Sequence, residues 1–175
     1  MRRSHYLLLL CACCASLSAT AMPQESRVPG GIALIPLDSE AGTARFKFND
    51  KPLLISQRDG QGVAIVGLPL SLKPGEYFIS GSYGNKKHLV KKFFTVKDKQ
   101  YTTQHIEIKN KRKVNPIKQD MERIIPEQKR KKAAARFWTE EQPDLNFLSP
   151  LEGVMTGSYG RRRVFNGQAK KPHSG

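Results

Sequence analysis

The chain has 175 residues, with 30 Lys and Arg against 15 Asp and Glu, 38% apolar residues and 8% aromatic residues. That length allows one domain or one and a fragment, and the composition is lean for a globular protein yet too rich for a wholly disordered one. All three cysteines, Cys11, Cys13 and Cys14, lie ahead of Ala15, which excludes a disulfide framework and every zinc site built from spaced cysteine pairs.

Residues 1–21 read as a secretory signal peptide. Arg2 and Arg3 are basic, Tyr6 to Leu17 is apolar or small, and Ala19-Thr20-Ala21 is a small-x-small cleavage site. The run is too short to span a bilayer, which takes about 20 apolar residues. Leu10-Cys11-Ala12-Cys13 also fits a lipobox loosely, so a lipid-modified Cys13 is the second reading. Without residues 1–21 the chain has 28 basic and 15 acidic residues and no cysteine, which suits a bacterial envelope. Export changes what the charge implies. The polyanions within reach are cell wall and lipid headgroups, and nucleic acid is not expected as a partner.

Residues 22–108 carry 12 basic and 8 acidic residues and read as β throughout. Apolar or alternating runs fall at 31–36, 44–48, 53–56, 63–66, 76–80, 88–96 and 101–109, separated by turn residues such as Asn49-Asp50, Asp59-Gly60 and Lys73-Pro74-Gly75. Alternation puts one set of side chains on a buried face and the other in water. Seven short strands at this spacing predict an immunoglobulin-like β-sandwich or a small barrel.

Residues 109–144 form a basic linker. Residues 109–136 alone hold 11 basic and 3 acidic residues. Asn115-Pro116 predicts a helix start, with proline at the first helical position. Ile117, Met121, Ile124 and Ile125 then follow at helical spacing, and Pro126 predicts a kink or two shorter helices. The cations Lys109, Lys111, Arg112, Lys113, Lys129, Arg130, Lys131 and Lys132 are candidates for contact with an anionic envelope polymer. A solvated, charged linker helix is the plainer reading of them, and both can hold together.

Residues 145–175 read as two strands at Leu145 to Leu148 and Val154 to Thr156, then a hairpin. Arg161 to Phe165 leads into Asn166-Gly167, a strong hairpin signal. So short a segment cannot bury enough apolar surface to be a domain alone, and it reads as the opening of a truncated one. No nucleophile-base pair, paired carboxylates or phosphate loop can be argued from spacing. His88 and His105 fall on polar-facing strand positions.

Pro150-Leu-Glu-Gly153, Gly157-Ser-Tyr-Gly160-Arg161-Arg162, Val164-Phe165-Asn166-Gly167 and Pro172-His173-Ser174-Gly175 together resemble the entry into the lysostaphin/LytM-type zinc metallopeptidase domain. Val28-Pro29-Gly30-Gly31, Lys73-Pro74-Gly75-Glu76 and Ile108 to Pro116 resemble the N-terminal extension of exported Gram-negative members. The resemblance implies a periplasmic or envelope zinc metalloendopeptidase that cuts peptidoglycan peptides. It implies that His173 is the first zinc ligand, in a His-x-x-x-Asp motif whose aspartate would fall two residues past Gly175. A later His-x-His would supply a third ligand and a general base. Zinc therefore belongs to the full-length parent, and this chain is expected neither to hold it stably nor to be active, with His173 a solvent-exposed terminal residue. The other reading is a non-enzymatic cationic protein that binds the cell envelope.

Overall fold

The computed structural model describes residues 22–38, 44–83, 89–148, 151–154 and 157–174. The signal-peptide and lipobox readings fall on residues 1–21, outside the described residues, as does His88. Among the described residues no helix is long and apolar enough to cross a membrane.

The fold is mainly β. Strands β1 (Ile32–Pro36), β5 (Gln61–Gly67) and β4 (Leu54–Arg58) form one antiparallel sheet in the order β1-β5-β4. Strands β3 (Lys51–Pro52), β2 (Ala44–Phe48), β6 (Gly75–Tyr83) and β7 (Val90–Val96) form a second in the order β3-β2-β6-β7. The alternation read from the sequence holds in β2, where Ala44, Phe46 and Phe48 are buried while Arg45 and Lys47 are exposed. Both sheets contribute to one core. Ala33, Ile35, Ile55, Ala64 and Val66 come from the first, and Phe46, Phe48, Ile79, Phe94 and Val96 from the second. Aromatic rings lock it, with centroids 5.7 Å apart for Phe48 and Phe94 and 5.4 Å apart for Phe46 and Tyr83.

Two-residue turns set the hairpin registers. Asn49 and Asp50 (φ 48° and 62°), Asp59 and Gly60 (50° and 79°) and Asn166 and Gly167 (49° and 77°) all lie in the left-handed region. This is the type I′ geometry, whose twist matches that of paired strands.

The seventh run read from the sequence is a strand, but not of the sandwich. Strand β8 (Thr103–Ile106) pairs in parallel with β9 (Arg162–Phe165), which pairs antiparallel with β10 (Gln168–Lys170). A parallel partner more than fifty positions away leaves no local signal, because parallel pairs need long connections.

The linker holds a single 3-10 turn at Lys111–Lys113 and helix α1 (Lys118–Ala134). The helix starts two residues later than Asn115-Pro116 suggests. Its N-cap is Ile117, whose N–H donates to Asp120 Oδ2 at 3.2 Å. Pro126 neither ends nor splits the helix, which runs through it as one element. No residue of α1 is buried, so there is no tight packing to oppose the adjustment that a proline requires. The strands expected at Leu145 to Leu148 and at Val154 do not form. Residues 145–148 and 151–154 carry no strand, and Phe147, Leu148, Leu151 and Val154 are exposed. An apolar run without a neighbouring strand has no ladder to join. Met155 and Thr156, which complete the second of these runs, lie outside the described residues.

Candidate functional site

His173 follows β10 and is pinned through its main chain. Its N–H donates to Arg161 C=O (2.9 Å), and its C=O accepts from Gly160 N–H (2.8 Å). The side chain is half-buried, not the solvent-exposed terminal group expected from the sequence. Its Nδ1 is buried and has no hydrogen-bond partner. Its Nε2 lies toward Gly157, where an added Cβ would sit 3.7 Å away. A buried ring nitrogen without a partner costs free energy unless a ligand or proton acceptor satisfies it. One imidazole is a single donor, and a zinc centre takes three protein ligands if catalytic. Among the described residues no group of three His, Cys, Asp or Glu is placed to hold a metal. His173 fits as one ligand of a larger set, and His105 is exposed on β8.

The turn behind His173 is held to the sandwich. Tyr101 packs its ring against Gly160, where an added Cβ would lie 2.0 Å from Tyr101 Cε1. The Tyr101 hydroxyl donates to Pro29 C=O at 2.6 Å. Gly30 leaves room on the other side of the same contact, since a Cβ there would sit 2.9 Å from that hydroxyl and 3.0 Å from Tyr159. Both glycines have positive φ, 81° and 83°, which side-chain-bearing residues rarely adopt. Asn166, in the β9–β10 turn, closes the other end. It accepts from Ile108 N–H at 2.7 Å and donates to Ile108 C=O at 3.0 Å. Lys170 Nζ donates to Val114 C=O at 3.0 Å. The Val28-Pro29-Gly30-Gly31 and Gly157-Ser-Tyr-Gly160 motifs, far apart in sequence, thus meet at Tyr101.

The candidate polymer-binding cations divide into two groups. Lys109, Lys111, Arg112 and Lys113 cluster around the 3-10 turn, and Lys129, Arg130, Lys131 and Lys132 lie in the second half of α1. All are exposed. Helix α1, which carries the second group in its C-terminal half, has 17 residues and is about 25 Å long at 1.5 Å per residue. Arg112 differs from the rest, because its guanidinium grips Asp120 through Nε (2.6 Å) and Nη2 (2.7 Å). The Arg112 hydrogen bonds hold the Asp120 carboxyl below the usual carboxylate range and raise the guanidinium further. Lys131 and Lys132 also sit in the last turn of α1, where positive charge complements the helix dipole.

A cleft of about 930 Å³ lies on the sandwich itself. Its walls are β2 from Ala44 to Lys47, the chain from Pro52 to Gln57, and the extended segment from Trp138 to Pro143. Arg45, Lys47, Glu140 and Glu141 place charges of both signs on it. Sequence reading missed this cleft. The only tryptophan of the chain, set in an otherwise polar connector, was the available signal.

A sequence profile described as the Peptidase family M23 N-terminal domain matches residues 25–99. Residues 25–99 are therefore similar to an M23 N-terminal domain. The match covers both sheets of the sandwich and ends before β8, as the strand pairing does. Among solved structures, the chain is similar to a protein from Pseudomonas aeruginosa described as a candidate peptidase M23. That similarity has a TM-score of 0.62 and 26% identity, and covers 78% of this chain. The chain spans about half, 52%, of that protein's structure. No curated protein matches it. The resemblance to lysostaphin/LytM-type peptidases seen in residues 150–175 agrees with both matches, which make the chain similar to M23 peptidases.

Proposed function

We propose that this chain is the N-terminal part of an exported zinc metalloendopeptidase that cleaves peptidoglycan peptides, with the M23 N-terminal domain and the cationic linker holding the enzyme on the anionic wall. The observation that carries this reading is the joining of an M23 N-terminal domain to a hairpin flanked by His173, whose buried Nδ1 has no partner. Zinc, held by a complete ligand set, would supply a Lewis acid and a bound water with its pKa lowered to about 7. This chain's own part is to fix one imidazole. Two main-chain hydrogen bonds set the position of His173, and Tyr101 braces the turn behind it. One ligand neither holds zinc firmly nor activates water, so the 175-residue chain alone is inactive in this reading.

Release of soluble peptides from purified sacculi tests it. The protein continued through a His-x-x-x-Asp and a later His-x-His should release them, and the present chain should not. Release by the present chain would remove the site from His173. A second reading, a non-enzymatic envelope-binding protein, is favoured by α1, which buries nothing and presents its cations to solvent. It predicts sacculus binding without release from any form.

A further inference from the structure

The cleft lies where two strands part. β2 turns at Asn49-Asp50 into β3 and pairs with it at Lys47–Pro52 and Phe48–Lys51. After Leu53 the chain changes sheet and becomes β4, bound to β5. In an antiparallel ladder, successive residues direct their N–H and C=O alternately to one neighbour and to the other. Phe46 C=O accepts from Leu53 N–H (2.9 Å), so Phe46 and Ala44 face away from β6 and into the cleft. On β4, Arg58 and Gln61 close a two-residue turn, so Ile55 and Gln57 face away from β5. β4 is the edge of its sheet. Among the described residues, the Phe46–Leu53 bond is the only main-chain hydrogen bond these four residues make on that side.

Two strand edges flank one cleft; among the described residues only Phe46 C=O (from Leu53 N–H) and Ala44 C=O (from Arg45 Nη1, 3.4 Å) are engaged on that side, and the edges form a template for an added strand. Segment 138–143 walls the cleft but makes no main-chain hydrogen bond to either edge. The side chains narrow the class of ligand. Arg45 and Lys47 suit a carboxylate, Glu140 and Glu141 suit an amine, and Leu54, Trp138 and Pro143 are apolar. No ion pair joins the two sets of charges among the described residues, and Arg45 is engaged only by a long hydrogen bond from its Nη1 to Ala44 C=O (3.4 Å), so both sets can turn to a ligand.

We propose that this cleft binds an extended peptide bearing both a carboxylate and an amine, through strand-like hydrogen bonds to the edges of β2 and β4. The proposal deepens the peptidoglycan reading and rests on it: a stem peptide containing a diamino acid has this chemistry. The N-terminal domain then holds a peptide of the polymer at a site of its own, away from His173.

Trp138 is the only tryptophan and lines the cleft, so its fluorescence reports on it directly. The probe is soluble stem peptide freed from its glycan, titrated into the chain. A saturable change in Trp138 emission and slowed hydrogen exchange at Ile55 and Gln57 are expected. Joint Arg45→Glu and Lys47→Glu substitution, at outward positions that leave the core intact, should weaken binding about tenfold or more, with circular dichroism showing the fold retained. If the peptide moves neither signal while sacculi still bind, the cleft proposal fails and the peptidoglycan reading stands. If neither peptide nor sacculi bind, both fail. If glycan strands stripped of peptide give the same signals, the occupant is not a peptide.

Discussion

Asp120 does two jobs with one carboxylate: it accepts from Ile117 N–H at the start of α1 and is gripped by Arg112. Its pKa is lowered, first by the Arg112 hydrogen bonds. A carboxylate depressed in the folded state contributes stability that is complete above its unfolded pKa and lost as pH falls through the folded value. Helicity followed at 222 nm should therefore step down on the acid side of the ordinary aspartate range. Asp120→Asn should lower helicity at neutral pH and remove most of that step. An unchanged acid profile in the variant would mean the step belongs to another group. Among the described residues, Glu25 is also held low. Burial pushes it up, but the Arg27 and Leu34 hydrogen bonds and the charges of Arg27 and Arg58 outweigh that. Two glycines separate backbone strain from packing. Gly160→Ala meets both a left-handed φ and the Tyr101 ring, whereas Gly167→Ala meets the φ alone, with nothing within 4 Å. The first should cost about 2–4 kcal/mol and the second about 1 kcal/mol in thermal unfolding. Equal losses would show that Tyr101 does not rest on Gly160.

Among the elements, the hairpins were the most legible. Asn49-Asp50, Asp59-Gly60 and Asn166-Gly167 each tolerate positive φ, and each closes a two-residue turn where the sequence puts one. The alternation of β2 likewise shows in residues 44–48 alone. What could not be read is non-local. Nothing near Thr103 marks Arg162 as its partner, and nothing near Leu53 marks the change of sheet that opens the cleft. Leu145 to Leu148 is apolar like a strand but finds no neighbour. Of the candidate site, the sequence singled out His173 and the basic cluster. It could not show that Nδ1 is buried or that Arg112 is already paired with Asp120. Tyr101 is the element-scale test of the junction. Tyr101→Ala removes the bond to Pro29 and the ring under Gly160. Amide exchange in β8, β9 and β10 should speed up while Ala64, Val66 and Ile79 in the sandwich stay protected. Uniform acceleration would mean that the two parts unfold as one unit.

On the scale of the whole molecule, a sandwich similar to an M23 N-terminal domain carries a basic linker and a small sheet that leads to His173. Attraction between exposed cations and an anionic polymer is screened within about 8 Å at physiological ionic strength. Binding to sacculi should therefore weaken steeply with salt, and replacing Lys129, Arg130, Lys131 and Lys132 by Gln should flatten that dependence. Binding constant up to molar salt would shift the role from charge to a shaped site such as the cleft. The central claim is that His173 is the first ligand of a zinc peptidase site. Metal content decides it most directly, measured on the protein continued through a His-x-x-x-Asp and a later His-x-His, with and without His173→Ala. About one zinc per chain is expected, lost together with peptide release from sacculi in the variant. Full zinc and undiminished release after His173→Ala would contradict it.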